Sequence, residues 1–363
     1  MQRKVCVYAI AKNEAQFVDR FMDSMSEADE ICVLDTGSSD DTVARLQARG
    51  ANVAQKIISP WRFDAARNES MRLIPGDADI CCCIDLDEAF HPGWRETLEN
   101  AWQDGTMRAR YRYTWSFRPG GREGVVFWAD KIHANGHFHW EGAVHEVLAF
   151  HSGKRYPTIT VDGLQLDHHP DPAKSRGQYL PLLELAVQED PHNDRNCHYL
   201  GREYMYHGEY RKAIATLERH IAMPESTWAD ERCASMRYLG RCCRALGEEA
   251  QAVRWYLRAI AEAPHLREPY LDFAALLYAE SDWDGVVWLC RRALAITERP
   301  RTYICEAEAW GELPYDYLTV AYSHLGNHAL ALESCRRAAA LAPADERIRK
   351  NLEFLEGLAS AAP

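Results

Sequence analysis

The sequence predicts two domains of different class: a Rossmann-like α/β domain over residues 1–175 and an all-α solenoid over residues 176–363. Three observations lead there. As far as about residue 170, short apolar runs alternate with stretches of helical period, the pattern of a parallel sheet with right-handed crossovers. One run, Cys81 to Ile84, stops abruptly at Asp85, Leu86, Asp87 and Glu88. It reads as a buried strand opening into a site, because acids this close repel unless water, a cation or hydrogen-bond donors receive them. Beyond Ser175 the strand pattern gives way to paired helices with small residues at fixed spacing.

The elements of the first domain follow in order. Residues 5–10 form a first strand, and Lys12, Asn13 and Glu14 turn the chain into a helix over 15–25. A second strand, 30–34, breaks at Asp35, Thr36, Gly37, Ser38, Ser39 and Asp40, whose side chains suit the free amides at the start of a helix over 42–49. A third strand over 52–57, a helix over 64–74 and a fourth strand over 79–84 complete the alternation. The aromatic-rich segments 107–117, 125–133 and 158–166 then predict an antiparallel extension over the site. In an open α/β sheet, ligands gather beyond the carboxyl ends of the strands, where the strand order reverses. Asp85 and Asp87, two apart on one strand, would face the same side and both reach a ligand there. A metal ion and a nucleotide suit such a place.

Composition narrows the classes. Of 363 residues, 47% are hydrophobic and 26% charged, an ordinary globular balance. A net charge of -12 argues against general binding to nucleic-acid backbone. No run of about twenty apolar residues is present to span a membrane, and the basic start leads into a short apolar stretch without a small-residue cleavage site. The twelve cysteines sit mostly inside apolar patterns with no CxxC pair; they read as small buried hydrophobes of a reducing cytosol, so the expected location is cytoplasmic.

Three motifs in order, Asp35-Thr36-Gly37-Ser38-Ser39-Asp40-Asp41-Thr42, Phe63-Asp64-Ala65-Ala66-Arg67-Asn68 and Asp85-Leu86-Asp87-Glu88, closely resemble glycosyltransferase family 2 with the GT-A fold. The resemblance covers about the first 175 residues. More narrowly, it is to the bacterial branch with an appended tetratricopeptide array, which includes the peptide S-glycosyltransferases of glycocin biosynthesis. It implies a sugar-nucleotide donor and a divalent cation, Mn2+ or Mg2+, held by one or two carboxylates and by phosphate oxygens. Asp87 is then the metal ligand. Asp85 would contact the ribose hydroxyls or help hold the metal, and Asp35 would accept from the pyrimidine ring N–H, although Asp35 also suits capping of the turn that follows it. Arg67 suits phosphate or the aspartate cluster.

Gly142-Ala143-Val144-His145-Glu146 resembles the Val-His-Glu segment of the same branch. An inverting transferase needs a base for the acceptor's proton; Glu146 is the candidate, with His145 as second candidate or metal ligand. The Glu-Asp pair in which family 2 members often present their base is not found. Leu166-Asp167-His168-His169-Pro170, followed by Lys174 and Arg176, resembles the segment that closes the catalytic domain. There one histidine, His169 ahead of His168, would complete the metal shell, and Lys174 or Arg176 would meet the diphosphate as a lid.

In the second domain, Leu200, Gly201, Tyr204, Ala213, Leu217 and Pro224 match the tetratricopeptide template, and Leu239, Gly240, Cys243, Ala252, Tyr256, Ala259 and Pro264 repeat it. Two further units follow around Ala274 and Ala331, with an insertion over 301–313 between them and a capping helix over 345–358. The concave face of such an array commonly holds an extended peptide or another chain. It would therefore present a protein acceptor, join two copies of the chain, or serve as rigid support, and the acidic balance favours a cationic peptide there. The whole predicts a metal-dependent, inverting transferase moving a hexose from a UDP-type donor to a protein or peptide side chain. Transfer to a small molecule, a glycan or a modified nucleobase stays open, as does a non-catalytic scaffold; the intact Asp35, Asp85 and Asp87 favour the enzyme.

Overall fold

Short strands, apolar on both faces, form the centre of the first unit, as a sheet covered on both sides requires. The computed structural model describes residues 3–153, 155–172, 177 and 179–361. By its contacts the chain divides into two units, one reaching Phe117 and resuming over Val126–Ala186, the other made of Arg118–Val125 and the residues from Val187 on.

In the first unit the chain alternates β1 (Val5–Ala11), α1 (Val18–Ser24), β2 (Glu30–Asp35), α2 (Thr42–Ala48), β3 (Asn52–Gln55), α3 (Phe63–Met71) and β4 (Ile80–Cys83). It continues through β5 (Glu88–Phe90), α4 (Trp94–Ala101), β6 (Arg108–Thr114), β7 (Val126–Ala134), β8 (Phe138–Glu141), β9 (Val147–Phe150) and β10 (Thr158–His168) to α5 (Tyr179–Glu189). Eight strands make one mixed sheet in the order β3-β2-β1-β4-β7-β6-β10-β5, and β8 with β9 forms a separate hairpin. Alternation along β1 divides the interior in two. Val5, Val7 and Ala9 face a core with Phe21, Met25, Trp94 and Leu98, while Cys6 and Tyr8 face another with Cys32, Cys81, Cys83, Phe138 and Trp140. All twelve cysteines are buried and free.

The predicted extension needs correction in one respect. β7 is antiparallel to β4 and β6, but β10 runs parallel to β6 and antiparallel only to β5. That arrangement carries His168 alongside Glu88. Strand β4 also ends at Cys83, so Asp85 and Asp87 lie in the turn leading to β5 and not on one strand face.

The second unit stacks helix pairs: α6 (Asp194–Tyr206) with α7 (Tyr210–Ala222), α8 (Ala229–Ala245) with α9 (Glu249–Glu262), α10 (Glu268–Ala279) with α11 (Trp283–Leu294), and α12 (Leu313–His324) with α13 (His328–Leu341), ending in α14 (Glu346–Ala361). Gly201 and Gly240 are demanded by close approach: a Cβ there would lie 2.6 Å from Leu217 and 2.3 Å from Tyr256. No helix among the described residues is long and apolar enough to cross a membrane.

Candidate active site

The chain runs outward from β1 through β2 to β3 and then returns to the other side of β1 as β4, so the strand order reverses between β1 and β4. The loops after β1 and β2 are laced together beside this point. Asn13, in the left-handed region at φ 55, accepts from the Ser39 amide at 2.7 Å, and its own amide donates to Ser38 Oγ at 2.8 Å. Thr42 Oγ1 accepts from the Glu14 amide, while Asp40 accepts from the amides of Ala15 and Thr42. Asp35, fully buried, accepts from the amides of Gly37 and Ser38 at 3.1 Å each. Its carboxylate shapes the turn in which Gly37 adopts φ 109, a geometry that favours glycine.

Arg67 on α3 is the hub of a buried ionic cluster. Its guanidinium donates to Asp85 at 2.9 and 3.2 Å, to Glu146 through Nε and to Cys83 Sγ at 3.1 Å, and it lies 5.2 Å from the Trp140 ring. Lys131 Nζ completes the enclosure, 3.1 Å from Asp85 and 3.2 Å from Glu88; Glu88 also accepts from the Asp85 amide and from the Tyr113 hydroxyl. Burial alone would raise the Asp85 carboxyl, but Arg67 and Lys131 outweigh it and hold it far below the usual carboxylate range. Burial raises Glu88.

The loop carrying Glu146 is pinned to the start of α3. Asp64 accepts from the Gly142 amide at 3.1 Å, Phe63 donates its amide to the Ala143 carbonyl, and Asn68 exchanges two 2.8 Å bonds with the Trp140 backbone. Gly142 at φ 106 and His145 at φ 50 make the tight bend that turns Glu146 toward Arg67. Only one Glu146 oxygen meets the guanidinium, and the other has no protein partner among the described residues. His145 lies in the same bend, with its ring 6.0 Å from Tyr179.

Asp87 stands apart from this cluster. The imidazole that reaches it is His168, not His169: His168 Nε2 is 3.3 Å from Asp87 Oδ2. His168 Nδ1 lies 2.9 Å from the Trp115 carbonyl. That bond fixes the ring and leaves Nε2 to face Asp87, an arrangement typical of metal-binding imidazoles. Burial would lower His168, but Asp87 outweighs it and raises its pKa. His169 gives Asp87 a backbone bond of 2.8 Å, while its ring stacks on Phe117 at 5.4 Å. Arg20 on α1, near Asp87, has a buried Nε without a hydrogen-bond partner among the described residues. An orphaned guanidinium donor beside a carboxylate and an imidazole is what a phosphate would satisfy. Lys174 and Arg176 lie outside the described residues.

The Asp87–His168 pair suits a divalent cation. Carboxylate oxygen and imidazole nitrogen are accepted by Mn2+ and its neighbours. Their 3.3 Å separation is close to the edge of an octahedron with bonds of about 2.1 Å. Two protein ligands completed by phosphate oxygens is the usual pattern for Mg2+-type ions. Among the described residues, the one group of three metal-type ligands is elsewhere, at Asp194, His220 and Glu231.

Lys131 and Arg20 were not singled out from the sequence as functional side chains, and His168 was the less favoured of the two neighbouring histidines. Lys131 shares its strand with Asp130 and His133, and Arg20 lies away from the face of α1 that buries Val18, Phe21 and Met22, so neither stands out by pattern.

Residues 6–149 match the model of glycosyl transferase family 2, and residues 200–266 match a tetratricopeptide repeat model. The protein O-mannosyl-transferase TMTC1 of Homo sapiens is 27% identical over 146 residues, covering 34% of this chain and 16% of its own length. An uncharacterized glycosyltransferase of Rickettsia bellii is 29% identical over 100 residues, covering 27% of this chain and 33% of its own. The chain thus spans a third or less of these curated relatives. Among solved structures, the glucosyl-3-phosphoglycerate synthase of Mycobacterium tuberculosis with Mg2+ and UDP is 28% identical, covering 31% of this chain and 44% of that one at a TM-score of 0.27. Residues 6–149 therefore form a glycosyl transferase family 2 domain, and tetratricopeptide repeats follow over residues 200–266.

Proposed function

We propose that this chain is a metal-dependent, inverting glycosyltransferase that moves a hexose from a UDP-type nucleotide sugar to a protein or peptide side chain, with residues 1–175 as the catalytic domain. The observation that carries the reading is the Asp87–His168 pair, 3.3 Å apart, with the unpartnered Arg20 Nε near Asp87 at the reversal of strand order. Asp87 and His168 would hold Mn2+ or Mg2+, and the bound cation would neutralise the departing diphosphate. Arg20 binds a phosphate oxygen, and Lys174 and Arg176 are assigned to the diphosphate as well. Asp35 sets the loop against which the nucleoside rests. Asp85, locked by Arg67 and Lys131, orients the turn that presents Asp87 and offers its remaining acceptor capacity to the ribose. Glu146 takes the acceptor's proton on the oxygen that Arg67 leaves open, with His145 as the alternative base. Twelve buried free thiols suit work in a reducing cytoplasm.

The test is a thermal melt with UDP and Mn2+ together, followed by a hydrolysis screen of UDP-sugars without acceptor. Wild type should melt higher with both ligands than with either alone and release one sugar slowly to water. Asp87→Ala should lose both effects; retention of the melt shift in that variant refutes the assignment.

A further inference from the structure

Residues 299–311, between α11 and α12, lie against the first helices of three successive repeats. Ile304, Cys305, Ala307 and Ala309 are buried. The Tyr303 ring stands 5.6 Å from Tyr199 on α6 and 5.6 Å from Trp228, which precedes α8, and its hydroxyl bonds Glu231 on α8. Glu306 is held at 2.8 Å by Arg237 and at 2.8 Å by Arg241, one turn apart on α8. Its amide donates to Glu268 on α10 at 3.0 Å, and the Trp310 indole donates to the same oxygen at 3.2 Å. Arg267 covers the Trp310 ring at 4.2 Å. Burial would raise the Glu306 carboxyl, but the two guanidiniums outweigh it and lower it to about 2.

This is how a groove holds a peptide: aromatic anchors in pockets, one buried carboxylate on paired arginines, and backbone tied to side chains. A cleft of about 220 Å³ opens beside it, lined by Arg241, Glu268, Asp272, Glu306, Glu308 and Tyr317 among others. Arg237 and Arg241 pair with Asp272 as well as with Glu306, and the Glu268 carboxylate on α10 also acts on Arg237.

We propose that residues 299–311 are an intramolecular ligand, and that the groove beneath them binds a partner's extended segment carrying a tyrosine and a glutamate three residues apart, as Tyr303 and Glu306 are here. The proposal is independent of sugar transfer.

The probe is a fluorescein-labelled synthetic peptide of residues 299–311, and the receptor is the full chain with those residues replaced by a Gly-Ser linker of the same length. By fluorescence anisotropy, this receptor should bind the peptide saturably and at least tenfold tighter than wild type. Either Glu306→Lys in the peptide or Arg241→Glu in the receptor should weaken binding at least tenfold. A receptor with wild-type circular dichroism that fails to bind overturns the proposal, as does a Glu306→Lys peptide that binds equally well. Should the replacement unfold the array, the full chain carrying Tyr303→Ala with Glu306→Gln should bind at least tenfold tighter than wild type. Binding equal to wild type overturns the proposal, and so does unfolding of both variants, which would make the segment part of the fold.

Discussion

Replacing Arg67 with methionine keeps most of the side chain's bulk and removes the charge that joins two acids. The guanidinium is 6% exposed and Glu146 10%, so neither group recovers water easily; Asp85 is 29% exposed and keeps Lys131. Removing one partner of a buried ion pair costs about 3–5 kcal/mol. Because Asp85 is partly compensated, the loss falls chiefly on Glu146 and lies at the lower end, about 3 kcal/mol. For a domain of this size that corresponds to roughly 6–12 °C in melting temperature. Differential scanning calorimetry reads it, with the transition of the first unit followed separately because two units need not melt as one. Arg67→Met combined with Glu146→Met removes the stranded acid and should recover at least half of the loss. A drop in the single variant of under about 2 °C would refute the claim that this guanidinium is sealed between Asp85 and Glu146.

Other outcomes follow from the same geometry. In a Mn2+ titration with UDP present, His168→Ala should raise the concentration needed for half the melt shift by about tenfold or more, while His169→Ala should change it by less than about threefold. Gly240→Ala should destabilise the repeats by about 1–3 kcal/mol in urea unfolding, because the added methyl meets the ring of Tyr256, which is 1% exposed and has nowhere to move. Glu306, lowered from 4.5 to about 2 when folded, contributes stability that is complete above pH of about 4.5 and fades as pH falls through about 2. Glu306→Gln should therefore lose stability at pH 7 and show a shallower decline than wild type between pH 5 and 2.5.

Much of this molecule was legible in the sequence. The alternation that predicts β1 to β4 is strong because a doubly covered parallel strand must be apolar throughout, and a run such as Cys81 to Ile84 has no other comfortable place. The hairpin of β8 and β9 escaped because its four-residue strands, with His139 and Glu141 exposed to varying degree, carry too little period to stand out. The choice between His168 and His169 turned on where β10 ends. Ending it at residue 166 leaves both rings in a linker, whereas two more residues of strand set His168 opposite Asp167, which reaches His91 instead. The link from Arg67 to Glu146 spans 79 positions and depends on a bend at positive φ, which a helix-and-strand reading does not encode. The insertion was visible as a break in the repeat, but its partners on α8 and α10 were not, since arginines one turn apart read equally well as a solvated helix face.

The sheltered thiols have a practical use. Burial pushes Cys81 up to about 12 and Cys197 up to about 11, and Cys32, which the hydrogen bond from Cys6 lowers instead, is shielded by its burial, so maleimide reagents at neutral pH should find little to react with among them. A single cysteine engineered on the surface could then take a spin label or dye against a silent native background, without first stripping twelve residues from the interior. One label on the stretch that covers the arginine groove and another on α13 would show whether that stretch lifts away when a competing peptide arrives.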